Sequence, residues 1–431
     1  MKKALVLLSL VIAISSCDIL GNTSIKDPIK ISSPEPTEFI TKVSLTEPQR
    51  EYVDAGNAFA FKFLQKVYAN KQSNVIVSPL SLQYALAMVV NGASGQTASE
   101  ITSALGFGDD VAALNKYCNL MLNQLPAVDE NVKLKLTDAV IVNKDYLLKD
   151  SFRKTVEENY YAPVEYMDAT NIQTVLDKIN EWASRNTNGL IDPFLSNNDI
   201  NKSIAATILN ALYFKAEWQQ IQGNPMFREE NTKKSQPFYY DGGGAGVADY
   251  MNVSHHLNYG KFENNSILEI PYAGGNFVMY VLLPDEKGSN GLKKLLDELT
   301  IDKLETALSS MTKESKIHLS LPKFEIEEKD YLSVILQDMG ISRSFQMNAE
   351  FDNMFANKDQ HFFISEVIQK SKIIVNEGGT EVASVTGVTV RGANPAQLTK
   401  VIDFVADHPF VYCIAEKTSG AILFEGVFTG K

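Results

Sequence analysis

Apolar positions in the first third of the chain recur at helical spacing. Between residues 51 and 68, Val53, Phe59, Phe63 and Val67 fall on one face, which predicts an amphipathic helix. Residues 74–79 then read as a short buried strand, and Ser78-Pro79 opens a second helix with proline at a position where the missing N–H is not needed. Residues 82–90 are apolar enough to run through the centre of the body, and Asn91-Gly92-Ala93 ends that run. Two more helices are expected at 97–105 and 112–125. Period-two alternation through Leu134, Leu136 and Val140 marks a strand at 133–142. Helical pattern returns at 152–160 and 172–187, followed by a long apolar strand at 204–214. Strands at 267–271, 277–284 and 316–324 alternate with helical stretches at 291–308 and 332–339, and 362–376 and 404–429 are strand-rich. Helices gather early and strands late, with no repeat and no interior linker, so the expected class is one large α+β domain.

One stretch reads as a strand with no partner of its own, residues 375–395. Glu377, Gly378 and Gly379 form a flexible entry, and the residues from Thr380 to Val390 are small or β-branched at nearly every position. Thr380, Val382, Ser384, Thr386, Val388 and Val390 share one uncharged face that burial would tolerate. Glu381, Ala383, Val385, Gly387, Thr389 and Arg391 share the other, which carries both charges. Arg391-Gly392-Ala393-Asn394-Pro395 then breaks the pattern with turn-forming residues, as an exposed tip would.

Composition adds limits. Apolar residues make up 45% of the chain, ordinary for a globular body, and the net charge of −12 argues against nucleic acid or any polyanion as partner. Met1-Lys2-Lys3 followed by an apolar run over 4–14 is too short to span a bilayer and has the form of a signal peptide. Ser15-Ser16-Cys17 after it resembles a bacterial lipoprotein processing site. That implies removal of residues 1–16, acylation of Cys17 and anchoring to the bacterial outer membrane, at the cell surface or the periplasmic face. Residues 17–48, with Pro28, Pro34, Pro36 and Pro48, read as an extended tether ahead of a folded body at 49–431. Cys118 and Cys413 sit among apolar neighbours as buried thiols, with a bridge between them left open. His255, His256, His318, His361 and His408 lie in no HExxH, and no serine lies in GxSxG, so no catalytic, metal or cofactor site is expected. The glycine-rich run 241–246 lacks GxGxxG spacing and is expected to be a loop with no strand leading into it.

Several motifs then agree in order and spacing: Asn74 to Ser81, Asn210 to Trp218, Glu269-Ile-Pro-Tyr272, Leu283-Pro284, Leu321-Pro-Lys-Phe324, Asn376 to Glu381, Ala406 to Phe410 and Leu423-Phe-Glu-Gly426. From about residue 50 to the C-terminus the chain resembles the serpin family. The resemblance implies three β-sheets, eight to nine helices and an exposed reactive loop, in a monomer that inhibits extracellular serine proteases and catalyses nothing. It implies that residues 377–384 (Glu377, Gly378, Gly379, Thr380, Glu381, Val382, Ala383, Ser384) are the hinge of that loop. The N-terminal part of the loop enters the central sheet after the protease has been acylated. Counting along the loop as the family does places the scissile bond at Ala393-Asn394 for an elastase-like target, with Arg391-Gly392 for a trypsin-like one as the alternative. Ser78, Asn210, Gln369 and Trp218 are implied in sheet opening. Gln369 stands where many members have histidine, Gly378 where a glutamate is usual, and Val382 and Val385 where alanine is usual. The rival reading is a non-inhibitory serpin, a binding protein whose loop is only a substrate.

Overall fold

The computed structural model describes residue 29 and residues 36–199, 205–240, 244–313, 315–356, 361–380 and 400–430. Helix α1 (Glu47–Lys71) starts where the Thr46 N–H donates to the Gln49 side chain at 2.9 Å, with Pro48 in the first turn. After β1 (Val75–Val77), Ser78 caps α2 (Pro79–Gly92), which is buried at every position except Ala85 and Asn91. Helices α3 (Gly95–Leu105), α4 (Val111–Gln124) and α5 (Asp150–Asn159) pack against α2.

Three sheets surround this helical centre. The largest has the order β11 (Phe324–Tyr331), β12 (Ile368–Asn376), β13 (Gly379–Thr380), β4 (Ala206–Glu217), β2 (Val132–Asn143), β3 (Val164–Met167). A second runs β1, β16 (Ile422–Phe428), β15 (Phe410–Glu416), β9 (Phe277–Pro284), β8 (Asn265–Pro271), β7 (Tyr259–Phe262). The third is β14 (Val401–Val405), β10 (Lys316–Pro322), β6 (Ala245–His255), β5 (Lys233–Tyr239). With α6 (Ile172–Asn186), α7 (Ser289–Glu298), α8 (Ile301–Ser309) and α9 (Ser333–Asp338), the described residues hold nine α-helices.

Alternation along β4 feeds two cores. Leu212, Phe214 and Ala216 point into the main core, while Leu209 and Ala211 point outward to a smaller core under α6, with Ala139, Ile141, Val175, Leu176, Ile179 and Trp182.

Several expectations change. The tether is not free to residue 48: Ile29 is buried in the core under α6, Val43 is buried with its N–H on the Thr418 hydroxyl at 2.8 Å, and α1 begins at Glu47. The helix expected at 291–308 is two, parted at Thr300, whose side chain caps α8. The strand expected at 316–324 ends at Pro322, and Phe324 begins β11 in a different sheet. Residues 361–367 join no strand ladder, so the strand expected from 362 begins only at Ile368. The 241–246 run is entered from a strand after all. β5 precedes it and β6 already includes Ala245 and Gly246, a hairpin that polar Lys233 to Gln236 had concealed. Cys118 and Cys413 are both buried and free, so no bridge joins them.

Candidate functional site

Strands β12 and β4 each pair antiparallel with β13, so they run parallel to each other on either side of it. Their shared rung is short: Thr380 lies between Val375 and Ala216, and Gly379 between Asn376 and Glu217. Below that rung the described residues of β4 and β12 form no ladder with each other, which leaves two strand edges facing across a slot. A cavity of about 560 Å³ opens there, with Ser78, Asn210, Gln369, Leu82, Leu86 and Phe362 among its lining.

The upper end is built by a tight hairpin. The Gly378 N–H donates to Asn376 Oδ1 at 2.9 Å, which turns the chain back toward the slot. Gly379 has φ +145°, and a Cβ there would stand 2.0 Å from the Ala216 carbonyl oxygen, so this close approach requires glycine. Glu377 is buried, with Lys323 Nζ at 2.8 Å and the Thr232 hydroxyl donating at 2.6 Å. Burial alone would raise its pKa, but the bonds from Lys323 and Thr232 outweigh burial and hold it below the ordinary value. Thr380 is buried with its hydroxyl 2.6 Å from that of Tyr272. Its face is the uncharged one of the alternation read from the sequence.

Trp218 closes this end. Its indole N–H donates to the Asn376 carbonyl at 2.8 Å, its backbone N–H to that of Gly378 at 3.2 Å, and its ring stacks on Tyr272 at 4.6 Å and 7°. Sequence reasoning grouped it with Ser78, Asn210 and Gln369. Eight residues of strand separate it from Asn210, about 26 Å at 3.3 Å each.

Lower down, the two lips of the slot carry separate polar pairs. Ser78 donates its N–H to Gln369 Oε1 at 3.0 Å and accepts from Gln369 Nε2 at 2.8 Å, while its hydroxyl donates to the Leu423 carbonyl at 2.9 Å. Asn210 turns the other way and donates to Asp138 Oδ1 at 2.6 Å, across a direct β2–β4 pair. Burial pushes the Asp138 pKa up to about 7, with the Asn210 bond opposing.

Asp138, Tyr272 and Lys323 were missed as site residues. Asp138 had a signal, a charge in phase with the buried Leu134, Leu136 and Val140, and the other two stand inside quoted motifs. Glu381, Val382, Ala383, Ser384, Arg391, Gly392, Ala393, Asn394 and Cys17 lie outside the described residues.

Three sheets about a buried helix, with a hairpin returning into the largest sheet, define the serpin fold. Residues 54–430 match the serpin (serine protease inhibitor) family, and the chain belongs to it. It is similar to the leukocyte elastase inhibitor of Bos taurus, 33% identical over 371 residues, 84% of this chain and 95% of that one. Iripin-2 of Ixodes ricinus is 30% identical over 392 residues, 88% of this chain and 94% of the relative. Among solved structures, the thermophilic serpin tengpin in its native state superposes with TM-score 0.79 at 25% identity, covering 92% of this chain and 98% of tengpin.

Proposed function

We propose that this protein inhibits extracellular serine proteases as a suicide substrate, with no cofactor and no turnover. The protease's serine attacks the loop carbonyl and the peptide bond breaks. The loop's N-terminal part then enters the slot while still esterified to the enzyme. One observation carries the reading: Gly379 and Thr380 already occupy the top of a slot whose edges are otherwise unpaired among the described residues.

The register of that rung says how much loop the slot takes. Each residue added after Thr380 moves one residue back from Ala216 along β4, so Val390 would meet Ala206, where β4 begins. Val382, Ser384, Thr386, Val388 and Val390 would share Thr380's inward face. Thr386 would arrive between Asn210 and Gln369, a hydroxyl between two amides, and Val382 between Phe214 and Ile373. The match of polar to polar and apolar to apolar supports insertion in this register. The strand from Thr380 to Val390 spans about 36 Å, and both expected bonds fall just beyond it. Cleavage at Ala393-Asn394 suits an elastase-like primary pocket and at Arg391-Gly392 a trypsin-like one, and we favour the former. Acylation of Cys17 would hold the inhibitor on a membrane.

The test mixes the chain from Asp18 onward with an elastase-type enzyme and with trypsin. A complex that survives denaturing electrophoresis is expected, with a released peptide beginning at Asn394 or Gly392. Cleavage there is expected to raise the unfolding temperature sharply as the loop joins the sheet. Clean cleavage with no stable complex across a panel of serine proteases, and no rise in unfolding temperature, would support the non-inhibitory reading instead.

A further inference from the structure

The segment after α6 crosses the outer mouth of the slot. On the α6 side, Asn180 Oδ1 accepts the N–H groups of Phe194 at 2.9 Å and Leu195 at 2.7 Å, and Asn180 Nδ2 donates to the Leu195 carbonyl at 2.9 Å. Ile191, Phe194 and Leu195 are buried in the small outer core with Leu209 and Ala211 on β4, and Ile368 on β12 packs against that core. All six residues line the cavity at the slot, so the segment lies over both lips.

On the far side the segment is bonded to the two strands beyond the slot. Lys370 on β12 donates to the Pro193 carbonyl at 2.9 Å. The Asp199 side chain is fully buried and accepts from Lys329 Nζ, from the Tyr331 hydroxyl at 2.7 Å and from the Ser196 N–H and hydroxyl at 2.5 and 2.7 Å. Burial would raise the Asp199 pKa, but the bonds from Lys329, Ser196 and Tyr331 overcome it and keep the carboxylate ionised. Lys329 and Lys370 face each other directly across β11 and β12, a like-charge pair that opposes strand pairing unless each ammonium has its own acceptor. Glu327 and the Pro193 carbonyl serve Lys370, and Asp199 serves Lys329.

We propose that the Asp199, Lys329 and Tyr331 cluster is a latch that holds residues 190–199 shut across the slot, so that its release is a step in sheet opening. Widening the slot moves β11 and β12 away from β4 and α6. The segment is held on both sides and cannot follow both. Asp199 is thus a positioning residue for insertion, acting through the segment it closes. The proposal rests on the insertion reading above, and the experiment separates the two.

The experiment uses the full chain and the variants D199N, K329M, Y331F and D199N/K329M. A labelled peptide with the sequence of residues 380–390 is added, and its rate of stable incorporation is followed at low and high salt. Amide hydrogen exchange of residues 190–196 is measured in parallel. D199N and K329M are expected to take up peptide at least tenfold faster than the parent, and the double variant no faster than either single. The excess of D199N and K329M over the parent should persist at high salt, because salt screens a pair shielded from solvent only weakly. Exchange in 190–196 should rise at least tenfold in D199N and K329M, with a smaller rise in Y331F, which keeps the fold if the charge variants do not. Unchanged exchange and uptake in the variants, or single effects that multiply in the double, would overturn the latch. Raised exchange with no peptide incorporated by any protein would leave the latch standing and sink the insertion reading.

Discussion

The hydroxyl pair at the top of the slot gives a sharp test of the rung. Thr380→Val keeps the shape of the side chain and removes its hydroxyl, leaving the fully buried Tyr272 hydroxyl without the partner now 2.6 Å away. A buried polar group stranded in this way costs about 1–3 kcal/mol. Tyr272→Phe strands Thr380 in turn, whereas the double variant removes both groups together and should sit close to the parent. For a body of about 380 residues the unfolding entropy is about 0.8 kcal/mol per kelvin, so each single variant should unfold about 1–4 °C lower. The four proteins are compared by thermal unfolding, with Trp218 emission as a local reporter because its ring stacks on Tyr272. The expected coupling is about 1 kcal/mol or more, in the sense that the double loses less than the sum. If the two losses simply add, the hydroxyls are not partners and Thr380 is not seated as described.

Two further expectations concern groups away from the rung. Asp138 has a folded pKa of about 7, so between about pH 4 and pH 7 the folded state holds a proton that the unfolded state has lost. Its contribution is therefore full below about pH 4, falls as pH rises and levels off above 7, by up to about 4 kcal/mol. Asp138→Asn should flatten that slope and be the more stable protein at pH 8, and parallel pH–stability curves for the two would refute this. Ile29→Ala should loosen the core under α6 by about 2–4 kcal/mol and speed exchange of α6 amides, and unaltered exchange there would mean that Ile29 anchors nothing.

What the sequence made legible was mostly what repeats. β2, β4 and β9 were visible because their apolar residues alternate or run unbroken, and α2 because nearly all of it is apolar. Thr380, on the uncharged face of the 380–390 alternation, is buried, and the rest of that face lies outside the described residues. β5 was hidden because it is an edge strand with Phe238 its one buried residue, so it has no alternation to read. The break between α7 and α8 was hidden because Leu299 and Ile301 carry the apolar pattern across it. The burial of Ile29 was hidden because Ile25, Ile29 and Ile31 stand among polar residues and Pro28 in a run too short to set a period. Partners were harder still. Whether Asn210 pairs with Gln369 or with Asp138 depends on which lip of the slot it turns toward, and strand phase alone cannot say.

The rung between Val375 and Ala216 bears on how a chain joins a sheet. A free segment must first meet the sheet and settle on an alignment, and that encounter, like the first turn of a helix, is the unfavourable nucleus of a cooperative process. If the loop inserts as proposed, that nucleus is the rung already formed by Gly379 and Thr380. Each later residue would only propagate an existing ladder, as a zip closes from a seated slider. The slow event would then be the parting of the lips ahead of the growing end, so substitutions that retard capture should cluster along β4, β12 and the segment lying over them rather than at the tip of the loop.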